Sequence, residues 1–426
     1  MAAMEKNNKT LKSSIEREQK QLAGSAEHEK IKGSQNLNVP HLRFPEFSGE
    51  WERSNLKRFA TKITKKNKGN MCSNVLSNSA NYGIIPQSDF FDRSIANSDN
   101  TDTYYVIEGG DFVYNPRKST AAPYGPINVY EGTEVGIISP LYLCFKVEWI
   151  NKKYLYHYFK SNKWHPYMYI NGDSGARHDR VSIKDDVFLD MPLFVPSQKE
   201  QLKITLLLDA IDKRIETQKK IIEDLKRLKD AITHSHYRNE MSHSPMVYIG
   251  QYITQVSKRN KDAKIDRVLS VSNKYGFINQ DEQFEDREVA SADTSNYKVV
   301  HKGDFAYNPA RINVGSVARL QEFENGIVSP MYVCFTAKKG LLSAYFELYL
   351  STSIFKHEMN KRLEGSVRLC LTYESLCNIK IALPEIDVQK GFVSKVSAIL
   401  TKIRAEERLL YLYHNCKQYL LSQMFI

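Results

Sequence analysis

The chain has 426 residues, of which 42% are hydrophobic and 11% aromatic, so it can fill the cores of two or three domains. Its net charge of +11 favours an anionic partner, but the excess is spread along the whole sequence and forms no basic tail. No run of about 18 apolar residues occurs and the N-terminal segment is polar, so we expect neither a membrane span nor a signal peptide and place the protein in the cytoplasm.

The chain begins with a polar extension, residues 1–36, that contains no aromatic residue. A lead-in segment follows, with the sequence VPHLRFPEF at 39–47, and its apolar pattern continues at Trp51 and Leu56. Folded structure is therefore predicted to begin at about residue 37, after the extension.

An internal repeat dominates the rest of the chain. GDFVYNP at 110–116 returns as GDFAYNP at 303–309, which is 193 positions later. GIISPLYLCF at 136–145 returns as GIVSPMYVCF at 326–335, which is 190 positions later. Because the matches keep their order and nearly their spacing, the sequence predicts one folded module built twice.

The two predicted modules are module 1, residues 37–196, and module 2, residues 245–384. The tripeptide Ile-Asn-Val at 127–129 also recurs at 312–314, and this pairing makes the loop after the first GDFVYNP segment the longer one. The copies thus agree in scaffold and differ in loops, which is how one fold is given two binding specificities.

Each module is predicted to be a mixed α/β domain. Short runs rich in Val, Ile, Tyr and Phe, bounded by Gly, Pro or Asn, indicate strands. These runs are 105–113, 135–145, 297–307 and 327–335. Helical spacing of apolar residues follows the strands at 154–161 and 342–359.

A long helix is predicted after each module, over residues 197–236 and 385–426. Ser197 followed by Glu200 is a capping-box pattern, and apolar residues then recur at alternating spacings of three and four, as in a coiled coil. The predicted seam consists of Ile204, Leu207, Ile211, Ile221, Leu225 and Leu228 on the first helix and Val396, Ile399, Ile403, Leu410, Tyr413 and Leu420 on the second. We expect the helices to pair antiparallel as a spacer, although the same pattern also suits a coiled coil that dimerises two chains.

Several motifs occur together around these helices. The first helix opens with Pro-x-x-x-Glu-Gln-x-x-Ile, here Pro196, Glu200, Gln201 and Ile204, and the lead-in at 39–47 precedes the first module. With the repeated Gly-Asp-Phe-x-Tyr-Asn-Pro segments, this combination resembles the specificity subunit of Type I restriction-modification enzymes over residues 37–426.

Two features depart from that family pattern. Residues 1–36 are an addition that the pattern does not require. The second helix, which opens Pro-Glu-Ile-Asp-Val-Gln at 384–389, lacks the full motif of the first. Because of the second departure, the sequence alone does not decide whether the two helices contact their partners in the same way.

The resemblance implies two target-recognition domains separated by two long antiparallel coiled-coil helices. It implies a subunit without catalysis of its own, in which each module reads one half of a bipartite site in double-stranded DNA. The helices are expected to dock two methyltransferase subunits and, through them, restriction (motor-nuclease) subunits. S-adenosylmethionine, ATP and Mg²⁺ are expected on those partners, and no cofactor is expected in this chain.

Sequence motifs for catalysis are missing. Neither Asn-Pro pair is followed by the aromatic residue that an adenine methyltransferase stacks on a flipped base, and no glycine-rich loop for a nucleotide occurs. The acidic pair at Asp185 and Asp186 stands in a polar context typical of solvated surface. The six cysteines include no C-x-x-C pair, so we expect buried thiols and no metal site. A self-contained nuclease or methyltransferase is the weakest interpretation.

Candidate DNA-reading residues are polar and basic side chains on loops that reach base edges and phosphates. One set follows the repeated strand, and another lies in the glycine-containing loop further along each module. The candidates are Tyr114, Asn115, Arg117, Lys118, Arg177, His178 and Arg180 in the first copy and Tyr307, Asn308, Arg311 and Arg368 in the second. Because Arg177 and Arg368 match between copies, we favour phosphate contact or a scaffold hydrogen bond for these two.

Two alternatives stay open on the sequence alone. Tyr-Asn-Pro is also a plain turn that ends a strand, in which Asn caps the chain and Pro fixes the bend. For the chain as a whole, the alternative to a DNA-recognition subunit is a non-catalytic scaffold whose duplicated modules bind protein partners.

Overall fold

The computed structural model describes residues 38–89, 101–173, 179–280, 293–365 and 368–426. The predicted extension at 1–36 lies outside these residues. The chain divides into two compact units. The first contains module 1 and the chain as far as Lys219, together with Arg408–Ile426, and the second contains Lys220–Glu407. Each unit therefore combines one module with part of each long helix.

Module 1 is built from short strands and short helices. Its strands are β1 (Glu52–Asn55), β2 (Ala60–Lys62), β3 (Val75–Ser79), β4 (Gly83–Pro86), β5 (Tyr105–Ile107), β6 (Phe112–Tyr114), β7 (Ile127–Val129), β8 (Gly136–Ile138), β9 (Leu143–Val147) and β10 (Pro192–Val195). Its helices are α1 (Lys152–Lys160), α2 (His165–Asn171) and α3 (Asp185–Leu189), and the long helix α4 (Gln198–His243) follows.

Module 2 repeats this order of elements. Its strands are β11 (Met246–Tyr248), β12 (Ile253–Val256), β13 (Val268–Ser272), β14 (Gly276–Asn279), β15 (Lys298–His301), β16 (Phe305–Tyr307), β17 (Val317–Arg319), β18 (Asn325–Val328), β19 (Val333–Ala337) and β20 (Lys380–Ala382). Its helices are α5 (Ile249–Tyr252), α6 (Ser343–Leu350), α7 (Ser353–Asn360) and α8 (Tyr373–Cys377), and the long helix α9 (Ile386–Gln423) follows.

The sheets of the two modules have the same topology. The sheet β2-β9-β6-β7 of module 1 is matched by β12-β19-β16-β17 in module 2, and β4-β3-β8-β5 is matched by β14-β13-β18-β15. The pairs β3·β8 and β13·β18 are both parallel, and each module also has a two-stranded ribbon, β1-β10 or β11-β20. The predicted duplication of a mixed α/β module is confirmed.

The runs predicted as single strands are each divided in two. The run at 105–113 becomes β5 and β6, which belong to different sheets. Gly110 makes the turn between them at φ +91°, and Gly303 makes the equivalent turn at φ +97°. The side chain of Asp111 accepts a hydrogen bond from the Glu108 backbone N–H across this turn, at 2.8 Å. The predicted helix at 342–359 is likewise broken, because Thr352 caps a new helix by accepting from the N–H of Phe355.

One alignment made from the sequence is wrong. Strand β7 pairs with β6 so that Val113 lies opposite Asn128, and the strand in the same place in module 2 is β17, where Ala306 lies opposite Ala318. Residues 312–314, which share the Ile-Asn-Val tripeptide, form a 3-10 turn inside the preceding loop. The loop after the repeated strand is therefore 115–126 in module 1 and 308–316 in module 2, so module 1 does have the longer loop.

The two long helices pair antiparallel within each unit. In the first unit, Arg214 on α4 donates to the Tyr413 hydroxyl on α9 at 3.0 Å, and Asp212 pairs with Lys417. In the second unit, the ring of His236 on α4 stacks on Phe392 near the start of α9, with centroids 3.7 Å apart. Helix α4 extends past the predicted end at residue 236, to His243.

Most of the predicted seam residues lie between the helices or against a module. Ile204, Val396 and Ile403 are buried, and Leu207, Ile211, Ile221, Leu225, Ile399, Leu410, Tyr413 and Leu420 are half-buried. Leu228 is 49% exposed, which contradicts its prediction. The buried positions on α4 include Ile215 and Ile222, which are one heptad apart. The next position of this heptad series is residue 229, so the neighbouring residue 228 lies off the buried side.

Aromatic residues fill equivalent places in the two cores. Phe112 stacks on Phe145 in module 1 with centroids 5.4 Å apart, and Phe305 stacks on Phe335 in module 2 with centroids 5.0 Å apart. The predicted burial of Cys144, with that of its counterpart in β19, is confirmed. Burial raises the pKa of the Cys144 thiol to about 12, so it remains protonated. Across the described ranges, no helix has the length and apolarity needed to cross a membrane.

Candidate nucleic-acid interface

The repeated Asn-Pro segment forms the same turn in both modules. The side-chain oxygen of Asn115 accepts a hydrogen bond from the Arg117 backbone N–H at 3.0 Å. The side-chain oxygen of Asn308 accepts one from the Ala310 N–H at 3.1 Å. This is the Asx turn expected of a residue that ends a strand. The turn interpretation of the motif is therefore supported for both asparagines.

The amide of Asn115 is used within the fold. It is buried, and its nitrogen donates to the backbone carbonyl of Asn78 at 3.0 Å. Asn308 is half-buried, and its nitrogen lies 3.9 Å from the sulfur of Met331. Asn115 is thus a scaffold residue, whereas Asn308 lies at the edge of the surface.

The structure contradicts DNA contact by the two repeated tyrosines. Tyr114 is buried, stacks on Phe188 with ring centroids 4.7 Å apart, and donates from its hydroxyl to the Tyr124 carbonyl at 3.0 Å. Tyr307 is equally buried, and burial raises the pKa of both hydroxyls well above their usual range. All three residues of β6 and of β16 are buried, so both faces of these strands are covered, a point that the linear motif does not reveal.

The second predicted loop lies beside the turn in each module. In module 1, the Val181 N–H donates to the Pro116 carbonyl at 2.9 Å, and the Lys118 N–H donates to the Asp179 carbonyl at 2.8 Å. In module 2, the Leu371 N–H donates to the Pro309 carbonyl at 3.1 Å. The structure thus brings together two loops that are far apart in sequence. The candidates Arg177 and His178 lie outside the described residues.

Arginines are concentrated at this junction in module 1. The Arg117 side chain is 67% exposed and lies 3.9 Å from the carboxylate of Asp179. Arg180 pairs with Arg117 through a backbone bridge, and its Nε atom is buried without a hydrogen-bond partner among the described residues. Burial raises the pKa of the nearby Tyr142 hydroxyl, and a hydrogen bond to Ser77 and the charges of Arg180 and Arg117 oppose that rise.

Module 2 presents arginines at the corresponding place. Arg311 follows the Asn308 turn and is exposed. Arg368 is exposed on the loop before α8, close to where Leu371 joins the turn. Among the residues that the structure describes, neither arginine forms an ion pair. Both modules therefore offer guanidinium groups next to the Asn-Pro turn, as contact with phosphates or guanine edges requires.

Sequence reasoning missed exposed apolar and aromatic residues near these turns. Leu141 and Met331 occupy equivalent positions in the repeated Ser-Pro-x-Tyr segments, and both are exposed. Tyr82 is exposed at the tip of the β3–β4 hairpin. The signal for the first two was present, because the Ser-Pro-x-Tyr segment repeats at the same offset as the following strand.

Each long helix is fastened to its own module by a glutamine. The Gln201 side chain accepts from the Asn151 N–H at the start of α1, at 2.9 Å, and donates to the Pro196 carbonyl. Gln389 accepts from the Leu342 N–H before α6, also at 2.9 Å, and donates to the carbonyl of Pro384. The second helix therefore keeps the proline and the glutamine of the motif, and it departs from the motif at Val388, in place of the glutamate, and at Phe392, in place of the isoleucine.

The position before the glutamine differs between the helices. Glu200 is buried and accepts two hydrogen bonds from Arg43 of the lead-in segment, each 2.8 Å, and one from the Trp51 ring nitrogen. Its carboxylate is thus engaged by the lead-in, although Ser197 still accepts from its N–H as the predicted cap. The equivalent residue on α9, Val388, is exposed.

Comparisons with known proteins identify the fold. No protein-family model and no curated protein matches the sequence. A chain from a structure of complex assembly and conformational transition of the type I R-M system aligns with a TM-score of 0.55 at 13% identity, over 91% of this chain and 99% of that chain. The S subunit of the Type I restriction-modification system from M. genitalium aligns with a TM-score of 0.50 at 14% identity, over 91% of this chain and 99% of that chain.

The chain has the fold of Type I restriction-modification specificity subunits. In this specificity-subunit fold, the predicted α/β duplication and the antiparallel pairing of two long helices are both present. The residues next to the Asn-Pro turns include exposed arginines in both modules. No group of three His, Cys, Asp or Glu residues suited to a metal ion occurs within the described ranges.

Proposed function

We propose that this chain is the DNA sequence-recognition (specificity) subunit of a Type I restriction-modification complex. Each module would read one half of a bipartite target in double-stranded DNA. The observation that carries the proposal is that two modules of one topology present exposed arginines beside the same turn, in loops of unequal length. Equivalent scaffolds with different loops are suited to reading two different half-sites.

The proposal assigns separate roles to the exposed cations and to the loops around them. Arg117 lies two residues after the turn asparagine of module 1, Arg311 lies three residues after that of module 2, and both are exposed. We therefore assign both arginines phosphate contact, which positions the module without reading sequence. Base reading is assigned to the parts that differ, above all the loops at 115–126 and 308–316. Lys118, Arg180 and Arg368 stay candidates for either role.

The proposed complex supplies the catalysis. The chain would act as a non-enzymatic subunit that docks two methyltransferase subunits and, through them, restriction subunits. S-adenosylmethionine, ATP and Mg²⁺ would be held by those partners in the cytoplasm, where the complex meets DNA. The helices α4 and α9 would set the distance between the half-sites.

One observation favours the alternative, a non-catalytic scaffold that binds proteins. Trp149 is 82% exposed and has a left-handed backbone conformation, with φ +67°. The equivalent residue of module 2 is a glycine, Gly340, with φ +97°. Leu202 and Leu206, one turn apart on α4, are exposed as well, and the equivalent positions on α9 hold a lysine and a serine. This apolar surface suits a protein partner of the first unit.

An exchange experiment tests the proposal in the complex with the methyltransferase. Module 1 is replaced by that of a related specificity subunit, and the junction is placed after Asp209, because Glu200, Gln201 and Asp209 all bind module 1. Adenine methylation is then mapped genome-wide. We expect one half of the target sequence to change and the other to stay the same. A change in both halves contradicts the assignment of one half-site to each module.

A binding experiment separates the proposal from the alternative. Duplex-DNA affinity of the wild-type complex should fall steeply with salt concentration, because phosphate contacts release counterions. The double variant R117A/R311A should weaken binding, and W149G/L202K should leave DNA affinity unchanged in complexes that still assemble. Salt-independent binding, or dependence on Trp149 and Leu202 alone, favours the protein scaffold.

A further inference from the structure

Three buried asparagine amides meet beneath the longer loop of module 1. Asn78 on β3 donates to the Val113 carbonyl at 2.7 Å and to the Pro126 carbonyl at 3.2 Å. Asn115 donates to the Asn78 carbonyl at 3.0 Å. Because Val113 precedes the loop and Pro126 ends it, the single amide of Asn78 holds both ends of the loop at 115–126.

Asn128 extends this network to the neighbouring hairpin. Its amide nitrogen donates to the Asn78 side-chain oxygen at 2.6 Å and to the Ser79 carbonyl at 3.0 Å. Asn78 and Asn128 are both buried. A buried amide network of this kind rigidifies the segments that it joins only while every member keeps its partner.

A lysine completes the network from the helix side. The Lys160 ammonium at the end of α1 donates to the Asn128 side-chain oxygen at 2.5 Å and to the Ile127 carbonyl at 3.2 Å. It also lies 4.8 Å from the ring centroid of Tyr156. Burial lowers the pKa of Lys160 to about 8, with Lys417 acting in the same direction and Asp212 opposing it.

Module 2 has no such network at the equivalent positions. Strand registers and helix contacts equate Asn78 with Val271, Asn128 with Ala318 and Lys160 with Ser351. The shorter loop of module 2 is instead held by Ser316, whose hydroxyl donates to the Val271 carbonyl at 3.0 Å. The two loops are thus fixed by different chemistry on the same scaffold.

We propose that Asn78, Asn128 and Lys160 are positioning residues that fix the conformation of the loop at 115–126 and thereby set the sequence preference of module 1. This inference rests on the proposed function. Asn78 and Asn128 act through the loop and touch no DNA themselves, since their amides are buried. Lys160 acts through its bonds to Asn128 and to the Ile127 carbonyl. Their effect is confined to one half-site because module 2 lacks them.

The test measures base discrimination at each half-site in the complex with the methyltransferase. The variants are Asn128→Ala and the double variant N78V/N128A, which installs the pair of side chains found in module 2. We expect discrimination between matched and mismatched first half-sites to fall by tenfold or more, about the value of one lost base contact. Discrimination at the second half-site should not change.

The double variant separates positioning from stability. Replacing both partners of a buried hydrogen bond by apolar groups removes the unsatisfied amide that a single substitution leaves. N78V/N128A also removes the two bonds from the Asn78 amide to the ends of the loop, so its first half-site discrimination should stay low even where its thermal stability exceeds that of N128A. Recovery of discrimination together with stability overturns the positioning role, as does equal loss at both half-sites.

Ser316→Ala in module 2 is the matched control, because it removes the loop hydrogen bond of the other module. It should lower discrimination at the second half-site only.

A second readout needs no DNA. Trypsin cleavage after Arg117 and Lys118 should be faster in N128A than in the wild type because the loop is released. If N128A is cleaved faster but the wild-type complex does not bind DNA, the positioning network is supported and the proposed function is rejected. If N128A is cleaved at the wild-type rate, the positioning network is rejected.

Discussion

The two modules share a topology but are fastened to their long helices differently. In the first unit, the carboxylate of Asp209 on α4 binds Lys153 at 2.6 Å and His157 at 2.9 Å, both on α1. Burial lowers the pKa of His157, and the hydrogen bond with Asp209 opposes this. In the second unit the residue equivalent to His157 is Leu348, and the residue equivalent to Asp209 is Ser397. Module 1 thus uses charged contacts where module 2 uses apolar packing.

What the modules keep in common shows which contacts the scaffold needs. Gln201 and Gln389 make the same bonds to a helix start and to a proline carbonyl. Around this shared joint, contacts at the periphery have diverged. Substitutions at Gln201 and Gln389 should therefore change the stability of the two units equally. Substitutions at contacts found in one unit only, such as that of Asp209, should change the stability of that unit alone.

The largest difference is expected at Glu200. Glu200→Ala removes the carboxylate that accepts from the half-buried guanidinium of Arg43 and from the buried ring nitrogen of Trp51, so the free energy of unfolding of the first unit should fall by about 2 to 4 kcal/mol. The matched control Val388→Ala, at the equivalent exposed position, should cost no more than about 0.5 kcal/mol. Chemical denaturation measures both. A loss below about 1 kcal/mol for Glu200→Ala contradicts the structural role of the lead-in contact.

The glutamine joint should give equal effects. Gln201→Ala and Gln389→Ala each leave one backbone N–H at a helix start without an acceptor, and each should cost about 1 to 3 kcal/mol. The two losses should agree within about 1 kcal/mol, as judged by thermal unfolding. A large difference between them means that the two joints are equivalent in geometry but not in energy.

The exposed arginines Arg117 and Arg311 should each contribute to DNA binding. Arg117→Ala and Arg311→Ala should each weaken affinity in the complex, and each should reduce the slope of log affinity against log salt concentration by about 1. Sequence preference should stay the same in both variants, because phosphate contacts carry no sequence information. Arg58→Ala, which removes an exposed arginine paired with Glu52, is the control and should change neither quantity.

A pH dependence of stability is also expected in the first unit. The pKa of Lys160 is lowered to about 8 by burial, with Lys417 adding to the shift and Asp212 opposing it. Above that pH the unfolded chain binds more protons at this side chain than the folded chain, so stability rises as the pH increases. Between pH 8 and 10, wild-type stability should therefore rise relative to Lys160→Met, as denaturant titrations at each pH would show.

Sequence patterns predicted the repeat and the two helices because these features are recorded in identities at a fixed offset and in heptad spacing. The division of each long run into two strands was not predicted, although the turn at Gly110 is marked in the sequence by Glu-Gly-Gly-Asp at 108–111. The alignment of Ile-Asn-Val failed for a different reason. Three identical residues do not show which strand of the sheet they belong to.

The candidate interface was predicted in part. The sequence placed Arg117 and Arg311 after the turn, and the structure finds both exposed there. It also included Tyr114 and Tyr307, which are core residues, because the motif does not show that both faces of strands β6 and β16 are covered. The amides of Asn78 and Asn128 were not singled out, since nothing in their separation of 50 positions signals a contact.

The first unit is assembled from both ends of its polypeptide. Leu421, Met424 and Phe425 belong to the same core as Ile204, and the Phe425 ring lies 5.3 Å from that of Tyr154. On the ribosome, module 1 therefore emerges early but lacks part of its core until roughly two hundred further residues have been made, about 10 to 40 s at usual rates of synthesis. The second unit, continuous from Lys220 to Glu407, is complete before that. In this chain module 1 is translated before module 2, but its core is completed after that of module 2.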